Sequence, residues 1–158
     1  MSELKAFIGH SFTDDDKDVV DQFLEFFNNV TGVGIGFSWD HAKVAEPKIL
    51  SEKVLELMEG KNLFIAICTA KEFAITLDKL KKSWSSKKVL KAKDNEFTTK
   101  TSDWIIQEIG VAIGKSMDVI ILLEEGLRKP GGLQGDLEYI GFNRAEPSKS
   151  FNKILEML

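Results

Sequence analysis

The chain is poor in features that mark several functional classes. Its 158 residues include one cysteine, Cys68, so no internal disulfide can form. A disulfide-free chain is what the reducing cytoplasm would hold, and a cytoplasmic location is the expectation. Cys68 closes an apolar run that begins at Leu63, where a thiol reads as a small core residue. Long hydrophobic runs are missing too. The apolar stretches at 63–68 and 119–123 have the length of strands, well short of a membrane span. Met1 to Lys5 lead straight into an apparent strand, without a signal-peptide pattern. Positive charge is scarce: 21 Lys and Arg stand against 25 Asp and Glu, giving a net charge of −4 and a pI near 5.3. That argues against a general binder of nucleic acids or anionic membranes, which needs net positive potential. There are two histidines, His10 and His41, without metal-ligand spacing, and no metal site is expected.

What is present is an ordinary globular composition, 43% apolar and 29% charged, over a length that suits one domain with one sizeable core. Residues 5–9 read as a strand. Thr13 looks like a helix N-cap, followed by Asp14, Asp15 and Asp16 at the positive end of a helix dipole. Val19, Val20, Phe23, Leu24, Phe27 and Val30 recur at helical spacing, and Gly32 ends that helix. Residues 33–38 read as a second strand and 39–46 as a polar loop. Pro47 suits a helix start, Leu50, Val54, Leu57 and Met58 give that helix an apolar stripe, and Gly60 follows its end. Leu63–Cys68 is a third strand, apolar throughout, as in a sheet covered on both faces. The lysine-rich stretch 71–100 reads as a short helix around 72–82 and then a loop. Thr101-Ser102-Asp103 starts a helix that runs through Trp104 to Gly114, with Ile105, Ile109, Ala112 and Ile113 on its buried side. Val119–Leu123 and Leu137–Phe142 are further strands. Pro147–Leu158 is a closing helix with Phe151, Ile154, Leu155 and Leu158 on one face. The chain stops within that pattern without a C-cap, the expectation for a domain cut from a longer protein.

Strands alternating with helices predict an α/β, flavodoxin-like three-layer sandwich. Its five-stranded parallel sheet would have strand order 2-1-3-4-5 and helices on both faces. Ligands in such sheets bind beyond the C-terminal strand ends, near the first and third strands. The segments 9–13, 39–46 and 69–104 meet there, and both histidines sit on that edge.

Three motifs fail on inspection. Gly114-Lys115-Ser116 resembles the end of a phosphate-binding loop, but Ile109 occupies the place of its first glycine and the helix–strand order is reversed. Gly32, Gly34 and Gly36 lack dinucleotide-binding spacing. A phosphoacceptor receiver needs acidic residues after the first and third strands, where Gly9-His10 and Cys68-Thr69 stand.

Trp104 and Glu108 are four apart and share one helix face. A carboxylate beside an aromatic wall in a cleft can stabilise an oxocarbenium-like sugar or hold ribose hydroxyls. The competing reading makes Trp104 a core anchor and Glu108 a partner of a nearby lysine.

The segment from Asp103 to Ser116 resembles the helix of NAD-cleaving TIR (Toll/interleukin-1 receptor) domains, which carry a Trp-x-x-x-Glu pattern with a catalytic Glu. Ala6 to Asp15 is similar to the family's first box, and Phe37-Ser38-Trp39-Asp40 with its continuation to Glu46 to the loop that covers the nucleotide. Gly131 to Asp136 is similar to bacterial relatives in antiviral defence. Gly9 departs from the serine frequent in the family, and Pro47 from a common glycine. The resemblance implies a single TIR domain over 1–158, with 71–100 as an insertion before the Trp/Glu helix, that cleaves the nicotinamide–ribose bond of NAD+ as substrate, with no cofactor. Glu108 would be catalytic, and Ser11, Phe12, Trp39, Asp40 and Trp104 would bind substrate, Trp39 and Asp40 from a mobile loop. Nicotinamide is already cationic in NAD+, so little acid catalysis is needed. The product would be ADP-ribose or a cyclic ADP-ribose. Self-association through TIR–TIR contacts, with a sensor domain or partner protein, would activate it; no membrane or nucleic-acid partner is implied. A non-catalytic TIR adaptor and a nucleotide sensor are the alternatives.

Overall fold

The computed structural model describes residues 3–42, 50–82, 90–130, 137 and 139–158, with the backbone alone at 50, 81–82 and 90–91. Glu46, Pro47, Trp84 and the Gly131–Asp136 stretch lie outside the described residues. In chain order the strands are β1 (Leu4–Gly9), β2 (Phe37–His41), β3 (Leu63–Cys68), β4 (Glu72–Ala74), β5 (Lys81–Lys82), β6 (Leu90–Lys91), β7 (Thr98–Lys100), β8 (Asp118–Glu124) and β9 (Tyr139–Phe142). The α-helices are α1 (Lys17–Gly32), α2 (Leu50–Met58), α3 (Asp103–Gly114) and α4 (Phe151–Met157). Five strands form one parallel sheet in the order β2-β1-β3-β8-β9. Counting only those five, this is the expected order 2-1-3-4-5.

Strand alternation sends successive side chains to opposite faces. Ala6, Ile8, Ile65, Ile67 and Leu122 face one way, and pack with Val20, Phe23 and Phe27 of α1 and Ile154 of α4. Phe7, Phe64, Ala66, Cys68 and Ile121 face the other, against Val54 and Met58 of α2 and Ile105, Ile109 and Ala112 of α3. β3 is buried along its whole length, which is why it carries no polar residue. Each of these fully buried Phe and Ile side chains contributes roughly 1.5–3 kcal/mol by leaving water.

Several sequence expectations need correction. The second strand spans Phe37–His41 rather than 33–38. Gly34 and Gly36 take φ of +76° and +79°, a left-handed backbone that turns the chain and delays the strand. Trp39 and Asp40 therefore lie in β2, paired with Ala6 and Phe7, and not in a loop. The helix expected around 72–82 is absent. β4 pairs antiparallel with β7, and β5 with β6. Thr98 and Thr99, β-branched and adjacent, favour the extended form, and Lys100 at the ribbon's end bridges Glu72 and Asp103. The last element opens as a 3₁₀ turn, Pro147–Ser150, before α4, and Leu155 is exposed. Thr13 makes no side-chain capping bond, and Asp16, one of the three carboxylates placed at the helix start, is fully buried. The start of α3 matches expectation: Ser102 caps it, accepting from the Ile105 amide. Among the described residues no helix is long and apolar enough to cross a membrane.

Candidate active site

Glu108 lies in the second turn of α3, on the face that packs against the sheet, and is 5% exposed. Its Oε1 accepts the indole N–H of Trp104 at 2.7 Å. Its Oε2 is buried and, among the described residues, has no hydrogen-bond partner. This oxygen lies over the last residue of β1: a Cβ built on Gly9 would stand 2.4 Å from it and 2.8 Å from the Phe64 ring. Gly9 alternates with Phe7 onto the α2/α3 face, so the carboxyl is seated against bare backbone at the C-terminal end of β1. Burial pushes the Glu108 carboxyl up to about 7, and the Trp104 bond offsets only part of that. A buried carboxyl with an orphaned oxygen costs folding energy, and such outliers concentrate where chemistry is done. A pocket of about 120 Å³ opens beside it, between α2 and α3, lined by Ser51, Val54 and Leu55 on one side and Trp104, Gln107 and Val111 on the other.

The remaining candidates divide between the two sheet faces. Ser11 and Phe12 line a separate pocket of about 380 Å³ on the α1 face, together with His10 and His41. Trp39 also faces α1, its ring 6.4 Å from Phe27 and 5.5 Å from His41. Asp40 pairs with Phe7 and so shares the Glu108 face, where its Oδ1 accepts the His41 amide at 2.8 Å. The structure thus joins Trp104 to Glu108, and sets Ser11, Phe12 and Trp39 apart from them.

The histidines, read separately from sequence, form a bonded pair. His10 Nε2 and His41 Nδ1 are 2.7 Å apart, and His10 Nδ1 is 2.8 Å from the Ser11 carbonyl. A carbonyl can only accept, so His10 carries its proton on Nδ1 and, when neutral, accepts at Nε2 from His41 Nδ1–H. Burial, opposed by the Ser11 bond and assisted by His41, lowers the His10 pKa. The available signal was topological: both residues sit at the ends of neighbouring parallel strands.

A third cluster braces this edge. Asp16 accepts from Thr69 Oγ1 at 2.8 Å and from Arg144 Nη2 at 2.9 Å, and is paired with Lys71. Arg144 also binds both oxygens of Glu124 at 2.8 Å. Burial alone would raise the Asp16 carboxyl. The bonds from Lys71, Ser11, Thr69 and Arg144 outweigh it and hold the group at about 2. Cys68 is fully buried and its thiol is pushed up to about 12 by that burial, so it stays an unreactive core residue. Among the described residues no cluster of three His, Cys, Asp or Glu could hold a metal ion.

No protein-family model and no curated protein matches the chain. Among solved structures it is similar to the CMP N-glycosidase BcmB of Clostridium botulinum, at 15% identity and a TM-score of 0.55, over 98% of this chain and 99% of that one. At that identity the likeness shows the fold: a parallel α/β sheet of the same architecture.

Proposed function

We propose that this domain is a glycohydrolase of nucleotide N-glycosidic bonds, and specifically a TIR-type domain that cleaves NAD+ between nicotinamide and ribose. The observation that carries the reading is Glu108: a buried carboxyl with one oxygen unpartnered, held by an indole at the edge where such sheets bind ligands. In the reaction the C1′–N bond breaks and its electron pair neutralises the nicotinamide ring. The cationic sugar left behind adds water, giving ADP-ribose and a proton, or is captured internally to give a cyclic product. Glu108, as carboxylate, offsets the charge developing at C1′ and orients ribose hydroxyls. A nicotinamide-sized ring suits a pocket of 120 Å³ beside Trp104. Activation by self-association, a sensor or partner protein, and a role in antiviral defence in the cytoplasm belong to the same reading through the TIR resemblance.

A second reading is favoured by the solved neighbour, a CMP N-glycosidase. Cytosine leaves poorly without a proton, so a CMP glycosidase would use Glu108 in its protonated form. Assays of NAD+ and CMP cleavage across pH test both. Cleavage of NAD+ that rises with pH supports the first reading; CMP cleavage that falls with pH supports the second. Neither activity, in protein that still self-associates, would leave a TIR adaptor; ligand binding without turnover would leave a nucleotide sensor.

A further inference from the structure

Between β3 and α3 the chain leaves the parallel sheet and pairs with itself. β4 pairs with β7 and β5 with β6 in a common register, so residues 75–80 on the outgoing arm are matched by 92–97 on the returning one. Residues 71–100 hold nine lysines against four acidic residues, a net of +5 in a chain whose total is −4, which leaves −9 on the rest. Two of these lysines brace the fold: Lys71 is paired with Asp16, and Lys100 with Glu72 and Asp103. Five more meet at the second ribbon. Lys81 stands opposite Lys91, and Lys82 opposite Leu90. Lys79 and Lys93, both exposed, stand just before and just after the two strands. Like charges opposite each other on a ribbon repel, and the nearest acidic residues in sequence, Asp78 and Asp94, stand outside the group.

Beside this charge, apolar side chains stand in water. Phe73 of β4 is 78% exposed, and Leu77, in the turn that follows, is 86% exposed. Phe97 meets Phe73 edge to face, with centroids 6.5 Å apart. Lysines alone would serve to keep a short ribbon from pairing with another chain. Exposed Phe and Leu work against that purpose. They fit a partner with an anionic surface over an apolar interior, which is a bilayer containing anionic lipid. A nucleic acid would answer the lysines and leave Leu77 in water. The net charge of the chain disfavours anionic surfaces in general, but its segregation does not: the acidic remainder is repelled, and the basic ribbon is turned toward the surface.

We propose that these two ribbons dock the domain on anionic lipid bilayers, with Phe73 and Leu77 entering the interface and the lysines of the second ribbon meeting the headgroups. The proposal is independent of the chemistry at Glu108. Flotation of the whole chain with unilamellar vesicles tests it. Vesicles of phosphatidylcholine with about 30% phosphatidylserine should carry the protein at about 0.1 M salt and release it at about 0.5 M. Vesicles of phosphatidylcholine alone should not carry it. Leu77→Ser, at a side chain that packs on little, should weaken binding about tenfold with an unchanged melting temperature. Lys79→Ala and Lys93→Ala should each weaken it about fivefold. The proposal is overturned if the phosphatidylserine vesicles float without the protein, whether or not an oligonucleotide binds in their place. It is equally overturned if Leu77→Ser or both lysine variants bind like the parent.

Discussion

The carboxyl of Glu108 rests on the backbone of Gly9, in the space where any other residue would place its Cβ. This contact joins α3 to the end of β1 and leaves room at position 9 for glycine alone. Gly9→Ala would set a methyl 2.4 Å from Glu108 Oε2 and 2.8 Å from the Phe64 ring, both buried. Either the carboxyl or the strand must move. The expected outcome is a loss of about 1–3 kcal/mol of stability in urea titrations. A loss of nucleotide cleavage larger than the unfolded fraction accounts for should accompany it.

Under the proposed function, the pH profile of NAD+ cleavage should follow from the Glu108 environment. Its carboxyl is pushed up to about 7 and is protonated below that pH. The ionised form offsets the sugar cation, so kcat/KM should rise through about pH 7 and level off above it. Trp104→Phe removes the bond that lowers this pKa, and should carry the midpoint to higher pH. A midpoint near that of a free glutamate would contradict the burial argument.

The same group sets a stability trend. Its folded pKa lies above its unfolded value of 4.5, so its contribution is fully present below pH 4.5 and is lost as pH rises through about 7. The stability of Glu108→Gln relative to the parent should grow by about 3 kcal/mol between those limits, at 1.36 kcal/mol per pKa unit. Parallel denaturation curves at pH 4.5, 6 and 8 measure it, and a pH-independent difference would show that the carboxyl is solvated.

Asp16 has the opposite sign. Its carboxyl is held at about 2, below the usual 3.8, so its contribution is present above pH 3.8 and is lost as pH falls through 2. Asp16→Asn leaves Arg144 and Lys71 facing an amide, and should destabilise the fold by roughly 3–5 kcal/mol at neutral pH. The variant should also lose less stability than the parent between pH 4 and pH 2, read by acid denaturation.

The main strands and helices were legible because local pattern decides them, through continuous apolar strands, helix stripes and glycine stops, and the sheet order followed from the rule for doubly wound folds. The Trp104–Glu108 pair was legible because four-residue spacing on a helix is geometry. What escaped depends on contacts between distant segments. Asp16 reads as one of three carboxylates at a helix start until Thr69, Lys71 and Arg144 converge on it. The histidines are 31 residues apart and meet only because β1 and β2 are in register. Trp39 and Asp40 were misplaced because two left-handed glycines moved the strand start. The lysine-rich excursion resisted reading because its short ribbons are set by backbone pairing rather than by an apolar pattern.

The central claim is that Glu108 carries glycosidic-bond cleavage, and nicotinamide release measures it most directly. Concentrated protein incubated with NAD+ at pH 8 should release nicotinamide, seen by chromatography. A folded Glu108→Gln variant should be slower by about 10²–10³-fold, the scale of losing one electrostatic stabiliser of a transition state. Equal rates for parent and variant would contradict the assignment of Glu108, and no release from concentrated, self-associated parent protein would contradict NAD+ cleavage itself.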